Sequence, residues 1–443
     1  MTVLRLFIAV ISVVFTIAQA DQQRPNMLVI LTDDQGYADV SMYGQPDVQT
    51  PNIDRLAREG IRFTNMRANA TVCSPSRAAL LTGMYPDRVG VPGVIRTDPA
   101  DSWGCFRPQG PTLPEALRQA GYQTACIGKW HLGLTTPNLP NDRGFDFFHG
   151  FLGDMMDSYT THLRHGTNYM RKNSAPITPS GHATELFTQW ACDYVRHAVT
   201  QDKPFFLYLA YNAPHFPIEP PESFLARVRA RNTITDEKRL RTVALVEHLD
   251  ANIGILMKTL DTLNITTNTW VVFASDNGGS LAHGQCNAPW RDGKQSHYEG
   301  GLRVPFAMRY PACIPPGQVS TYAGLGFDIY PTALALAGAP IPPNIDATSL
   351  VPLFSGAGQP ELPRTFYFTR REGGHYGGKD YHAWIDGSWK LLQNNATSPF
   401  ELYNLATDPY ETNNLAQHAP KQVSIMLKAL ARQIQKGGQT PWQ

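Results

Sequence analysis

Charge is scarce in this sequence. Only 17% of its 443 residues are Asp, Glu, Lys or Arg, and 38 basic side chains nearly cancel 37 acidic ones to leave a formal +1. That balance gives no reason to expect nucleic acid or a membrane surface as partner, so attraction for an anion has to be built locally. No apolar run reaches the roughly 20 residues that span a bilayer. Internal repeats and low-complexity tracts are also missing, which sets aside solenoids and disordered linkers. What remains is an ordinary globular composition, 42% hydrophobic, on a chain long enough for one large domain and a smaller one.

The first twenty residues read as a leader rather than as structure. Arg5 supplies a positive start, Leu6 to Ile17 is a short apolar stretch, and Ala18-Gln19-Ala20 is a small-residue cleavage pattern. The expectation is a signal peptide over 1–20, a mature chain from Asp21, and export. Export favours disulfides, and the six cysteines, at 73, 105, 126, 192, 286 and 313, allow up to three. If Cys73 is reserved for chemistry at least one other stays free, and Cys126, within an apolar run, suits a buried thiol. Asn264 and Asn395 begin glycosylation sequons, while a third at Asn69 lies too close to Cys73 to carry a glycan without obstruction.

Short apolar runs alternate with capped amphipathic segments, the pattern of an α/β fold. Thr50-Pro51 opens one helix, Thr112 to Glu115 forms a capping box for another, and Leu249, Ile253, Leu256, Leu260 and Leu263 stripe a longer one. Four apolar runs stop at polar groups: 27–31 at Asp33-Asp34, 123–127 at Lys129 and His131, 205–209 at His215, and 270–274 at Asp276-Asn277. Sites of open α/β sheets form beyond the carboxyl ends of strands, so these four ends predict one polar site. From Arg364 the texture changes to short strands at 365–368, 383–385 and 389–393, then an amphipathic helix over 422–435. The expected division is a large domain over 21–360 and a small antiparallel-sheet subdomain over 361–443.

Adjacent carboxylates at a strand end repel unless a cation sits between them, although either could simply cap a turn. With Asp276 and Asn277 the pair Asp33-Asp34 makes an all-oxygen set, which favours Ca²⁺ or Mg²⁺ over zinc or copper. Cys73-Ser74-Pro75-Ser76-Arg77 precedes a short apolar helix and closes on Thr82-Gly83. Taken generically, Cys73 is a half-cystine or a thiol activated by a helix N-terminus.

The whole string is more specific. It resembles the signature of the type I sulfatases, in which this cysteine is oxidised to formylglycine by a dedicated enzyme. The resemblance runs on through Gly128-Lys129-Trp130-His131, His215, Ser275-Asp276-Asn277-Gly278, Gly293-Lys294 and Tyr403-Asn404-Leu405. It implies the alkaline phosphatase superfamily fold, a large mixed β-sheet sandwiched by helices with a smaller C-terminal sheet. It further implies a divalent metal, generally Ca²⁺, held by Asp33, Asp34, Asp276 and Asn277 with an oxygen of residue 73. Arg77 and Lys129 would lie beside the hydrated aldehyde, His131 would be the base that collapses it, and His215 and Lys294 would bind sulfate and the leaving oxygen. An aldehyde hydrate suits the task because one hydroxyl attacks sulfur and the second then expels sulfate, whereas serine or cysteine would trap the ester. The implied substrates are sulfated carbohydrates or aryl sulfates, and the formylglycine-generating enzyme is the implied maturation partner.

Two rivals stand beside it: a phosphate or phosphonate hydrolase of the same superfamily, and an inactive sulfate-binding module. Specificity is expected from the polar and aromatic loops 91–107 and 152–179. Asp154, His283, His297 and Arg303 lie in promising segments without an assigned role.

Overall fold

A computed structural model describes residues 24–356, 364–373 and 379–443. The leader over 1–20 and the boundary at 360/361 lie outside the described residues. The strand Asn26–Thr32 is buried on both faces: Met27, Val29 and Leu31 enter one core, Leu28 and Ile30 the other. That double burial is why its sequence is a continuous apolar run instead of an alternating one.

The strand stands near the middle of a ten-stranded sheet. It pairs in parallel with Thr269–Ser275 on one side and Phe205–Ala210 on the other; Gln123–Lys129 and Phe147–Phe151 continue the parallel run. Beyond Thr269–Ser275, Phe306–Arg309 and Ile61–Phe63 pair antiparallel, and short antiparallel strands close the far edge. The sheet is therefore mixed. Cys73–Thr82, Leu113–Gln119 and Ile329–Ala337 cover one face; Pro51–Arg58, Ala183–Ala198 and Glu237–Thr262 cover the other. Local signals explain several of these helices. Thr112 N–H donates to Glu115 Oε2 at 2.7 Å as its capping box requires, and Asp236 caps the long helix whose Leu249, Ile253, Leu256 and Leu260 are fully buried.

A separate four-stranded antiparallel sheet follows, in the order Thr365–Glu372, Lys379–Asp386, Trp389–Leu392 and Glu401–Asn404. The helix Pro420–Gly437 packs Met426 and Leu430 against it. Its apolar cluster also takes in Ala79, Tyr85, Leu325 and Phe327, so the small sheet is packed directly on the Cys73 helix. A buried charge cluster reinforces the joint. Glu299 binds Arg67, Arg303 and Lys390, and Lys390 reaches back to Glu411 at 2.8 Å.

All six cysteines are unpaired, which corrects the disulfide expectation. Cys126 is enclosed in the central sheet as anticipated, Cys192 faces the long helix and accepts from Thr259 Oγ1, and the others sit on separate elements. Asn69 is closed to modification: its Nδ2 donates to the Ser76 carbonyl and its Oδ1 accepts from Phe327 N–H. Asn264 and Asn395 are exposed. No helix among the described residues is long and apolar enough to cross a membrane.

Candidate active site

The carboxyl ends of the parallel strands are stitched into one surface. Asp33 N–H donates to the Ala213 carbonyl at 3.1 Å, and Asp276 N–H donates to the Thr32 carbonyl at 3.1 Å. Asp34 turns into the left-handed region at φ 62°, a conformation Asp tolerates, and its N–H donates to Asp276 Oδ1 at 3.1 Å. The four polar strand ends read from the sequence are thereby brought together. Cys73 is the first residue of its helix, behind the extended Val72. Its Sγ lies 3.2 Å from Asp33 Oδ1 and 3.9 Å from Asp34 Oδ1.

Four cationic or ionisable groups surround this point. Lys129 Nζ is 2.5 Å from Asp33 Oδ2, and Lys294 Nζ is 2.6 Å from Asp34 Oδ2. Arg77, one turn along the helix, directs Nε and Nη2 at Asp276 Oδ2 and Nη1 at the Lys129 carbonyl. His215 places Nε2 3.2 Å from Lys294 Nζ and 3.4 Å from Asp34 Oδ2. Its Nδ1 is 2.6 Å from the Phe216 carbonyl, so the ring proton belongs on Nδ1 and Nε2 faces the cluster with a lone pair.

These surroundings set the charges. Burial alone would raise Asp33, but Lys129, His215, Arg77 and Lys294 outweigh it and hold the carboxyl well below its usual range. Asp276 is pushed up to about 7 by burial and by Asp33, with Arg77 opposing. Burial works to lower Lys294, yet Asp34 and its neighbours keep it raised and fully charged. Burial and Asp33 push the Cys73 thiol well up. The activated-thiol reading is thus corrected, because the neighbouring carboxylates oppose any effect of the helix terminus. His131 is held neutral by burial and by Lys129 and Arg77. Its Nε2 meets the Ile95 carbonyl at 2.7 Å, while its buried Nδ1 has no hydrogen-bond partner.

The residues that could hold a cation include three of those expected, Asp33, Asp34 and Cys73, with His215 beside them. Asp33, Asp34, Cys73 and His215 gather ligand atoms within 4.8 Å of one another. Both oxygens of Asp276 are engaged, Oδ1 by Asp34 N–H and Oδ2 by Arg77. Asn277 donates through Nδ2 to Asp34 Oδ1 at 2.8 Å, which leaves its Oδ1 buried and unpartnered.

With that geometry in place, comparison with known proteins is decisive. The Sulfatase family model matches residues 25–339.

The chain belongs to the sulfatase family.

It is a type I sulfatase of the alkaline phosphatase superfamily and a sulfuric ester hydrolase. A second family model, described as N-sulphoglucosamine sulphohydrolase, C-terminal, matches 288–438 and covers the small sheet. N-acetylgalactosamine-6-sulfatase of Canis lupus familiaris is 35% identical over 367 residues, covering 78% of this chain and 69% of the relative. Arylsulfatase A of Homo sapiens is 35% identical over 374 residues, covering 78% and 70%. The crystal structure of Ps i-CgsB in complex with k-i-k-neocarrahexaose superposes with a TM-score of 0.86 at 31% identity, covering 95% of both chains.

In this sulfatase Cys73 lies at the base of a cleft of about 270 Å³, and Asp34, His131, His215 and Lys294 line it. Both loops expected to govern specificity reach the walls, through Val94 and Arg96 from one and Asp154, Met155 and Arg164 from the other. Arg164 is held there by Asp154 and Asp157. His283 also lines the cleft, whereas His297 packs on the small sheet beside Gln393 and Asn394, and Arg303 is committed to Glu299. Gln295 and Arg370 were not foreseen. Arg370 arrives from the first strand of the small sheet, tethered to Glu372 and Tyr381, and nothing in its local sequence marks it.

Proposed function

We propose that this sulfatase hydrolyses sulfate esters of glycans or aryl alcohols using formylglycine at position 73 and one divalent cation, Ca²⁺ with Mg²⁺ as the alternative. The observation that carries the reading is the convergence of Cys73 Sγ on Asp33 and Asp34 inside a ring of Lys129, Arg77, Lys294 and His215. The residues fit a hard cation. Asn277 Oδ1 is a buried oxygen without a donor, and Asp276 is driven toward protonation by burial and then by the neighbouring carboxylates, whose charge a cation would offset. Asp33, Asp34, Asp276 and Asn277 would hold it, together with residue 73. When bound, the cation supplies Lewis acidity at the attacking and sulfuryl oxygens. The formylglycine hydrate supplies one hydroxyl for attack and a second for release of sulfate.

The chain's own side chains have distinct tasks in this scheme. Arg77 fixes Asp276 and the Lys129 backbone, and Lys129 Nζ, paired with Asp33, would offset charge that develops on the sulfuryl oxygens. Lys294 carries the proton of the Lys294–His215 pair, because His215 holds its own ring proton against Phe216. One of the two delivers a proton to the departing oxygen. His131 Nδ1, neutral and unpartnered, is the base that removes a proton from the residue-73 hydrate.

Substrate class follows the relatives' names: one acts on N-acetylgalactosamine 6-sulfate, one on aryl sulfates, and Ps i-CgsB is seen with a neocarrahexaose. We further propose export through the 1–20 leader, maturation by a formylglycine-generating enzyme, and a subdomain division near residue 360. The deciding measurement is the mass of the peptide containing Cys73 from protein made with that enzyme. Thiol-to-aldehyde conversion supports the mechanism, and an unmodified thiol in protein that still turns over sulfate esters would sink it.

A further inference from the structure

Among the described residues, Phe216 is one of the few large apolar side chains left substantially in water, at 44% exposed, and it alone of these lines the cleft. A scattered exposed phenylalanine needs no explanation. This one is different in being built into place. Its ring stacks on His283 with centroids 4.6 Å apart and planes 23° from parallel. His283 is in turn fixed from three sides. Its Nδ1 pairs with Ser280 Oγ at 3.1 Å, its N–H donates to the Ser280 carbonyl, and its own carbonyl accepts from Thr242 on the long helix. Burial lowers the imidazole's pKa, so the pair stacks as two neutral rings.

The backbone of Phe216 also belongs to the site. Its carbonyl accepts the His215 Nδ1 proton at 2.6 Å, which turns His215 Nε2 toward Lys294. One residue therefore orients the group beside the departing oxygen and sets an aromatic face next to it. The carbon skeleton of the substrate begins at that oxygen, and Phe216, next in the chain to His215, lines the same cleft with His283, so a ring attached there would meet this pair.

We propose that Phe216, backed by His283, is the specificity platform on which the ring of the departing alcohol stacks. The ligand chemistry it selects is a cyclic alcohol with an apolar face, either the C–H face of a pyranose or an aryl ring, in preference to an acyclic alkyl chain. The inference rests on placing His215 and Lys294 at the departing oxygen.

The test uses the matured full-length enzyme, its Phe216→Ala, Phe216→Tyr and His283→Ala forms, and N-acetylgalactosamine 6-sulfate, 4-nitrophenyl sulfate, n-butyl sulfate and inorganic sulfate as probes. Stacking of this kind predicts that Phe216→Ala raises KM for the ring substrates about three- to tenfold. KM for n-butyl sulfate and the inhibition constant of inorganic sulfate should stay unchanged, and Phe216→Tyr should restore the ring substrates. His283→Ala should give a smaller rise of the same selectivity. Which of the two ring substrates suffers more identifies the sugar or the aryl group as the natural occupant. A parallel loss of inorganic sulfate binding, or equal KM values in all forms, overturns the platform. Calorimetric affinities of the same probes separate this from catalysis. Selective weakening of ring ligands upholds the platform even without turnover, and uniform affinity overturns it while hydrolysis persists.

Discussion

Arg77 directs both Nε and Nη2 to one oxygen of Asp276, at 3.0 and 2.8 Å, where neither side chain meets solvent. Breaking such a pair leaves an uncompensated buried charge, and the cost is roughly 3–5 kcal/mol. Arg77→Met should therefore lower the urea midpoint of the whole protein substantially, while Arg77→Lys, which keeps charge but loses the fork, should lower it less. Equal midpoints for wild type and Arg77→Met would refute the buried pair as a stabilising contact.

Cation binding should be visible without turnover. Saturation at a hundred times the dissociation constant adds about 2.7 kcal/mol to folding stability. Chelation should lower the melting temperature and added Ca²⁺ should restore it, with elemental analysis finding one ion per chain. Asn277→Ala should shrink the Ca²⁺-dependent rise, because it removes the one buried oxygen of the set that has no other partner. An unchanged rise would remove Asn277 from the ligands.

Proton delivery to the departing oxygen matters most when that oxygen is a poor leaving group. Lys294→Ala or His215→Ala should reduce kcat on a sugar sulfate by about 10²- to 10⁴-fold, the usual scale for a lost general acid. The loss on 4-nitrophenyl sulfate, whose phenolate departs unaided, should be distinctly smaller. Equal losses on both substrates would mean that neither residue is the acid.

The buried cluster at Glu299 makes a prediction with a definite sign. Burial would raise this carboxyl, but Arg67, Lys390 and Arg303 outweigh it and hold it well below 4.5. A lowered folded value means the unfolded chain binds the proton more tightly. The stabilisation is thus complete above pH 4.5 and is lost as pH falls through the folded value. The stability difference between wild type and Glu299→Gln should be constant at neutral pH and narrow below 4.5 in urea titrations. Lys390→Met, which leaves Glu299 and Glu411 facing each other, should destabilise at neutral pH by roughly 3–5 kcal/mol.

The sheet and the base of the site were legible because their signals are local. Asp33, Lys129, His215 and Asp276 each follow an apolar run, and parallel strands deliver such residues to one edge. The alignment of Cys73, Arg77 and Lys294 with a known signature supplied the rest. Arg370 and Gln295 were illegible because the cleft wall they form is assembled from segments far apart in the chain. The disulfides were anticipated from compartment alone, and compartment does not place sulfur atoms side by side. Asp276 was anticipated among the ligands, and only the three-dimensional arrangement reveals that Arg77 bonds one of its two oxygens.

Every residue of the helix Cys73–Thr82 is buried, and Cys73 itself is 3% exposed. Any enzyme that must grip this segment to alter its first side chain can do so only while the chain is still open. Folding is then a deadline. Under the formylglycine mechanism proposed above, a molecule that misses it would close around an unmodified thiol and lack the nucleophile. The specific activity of a preparation would accordingly record the race between modification and folding during its synthesis, with two populations separable by mass.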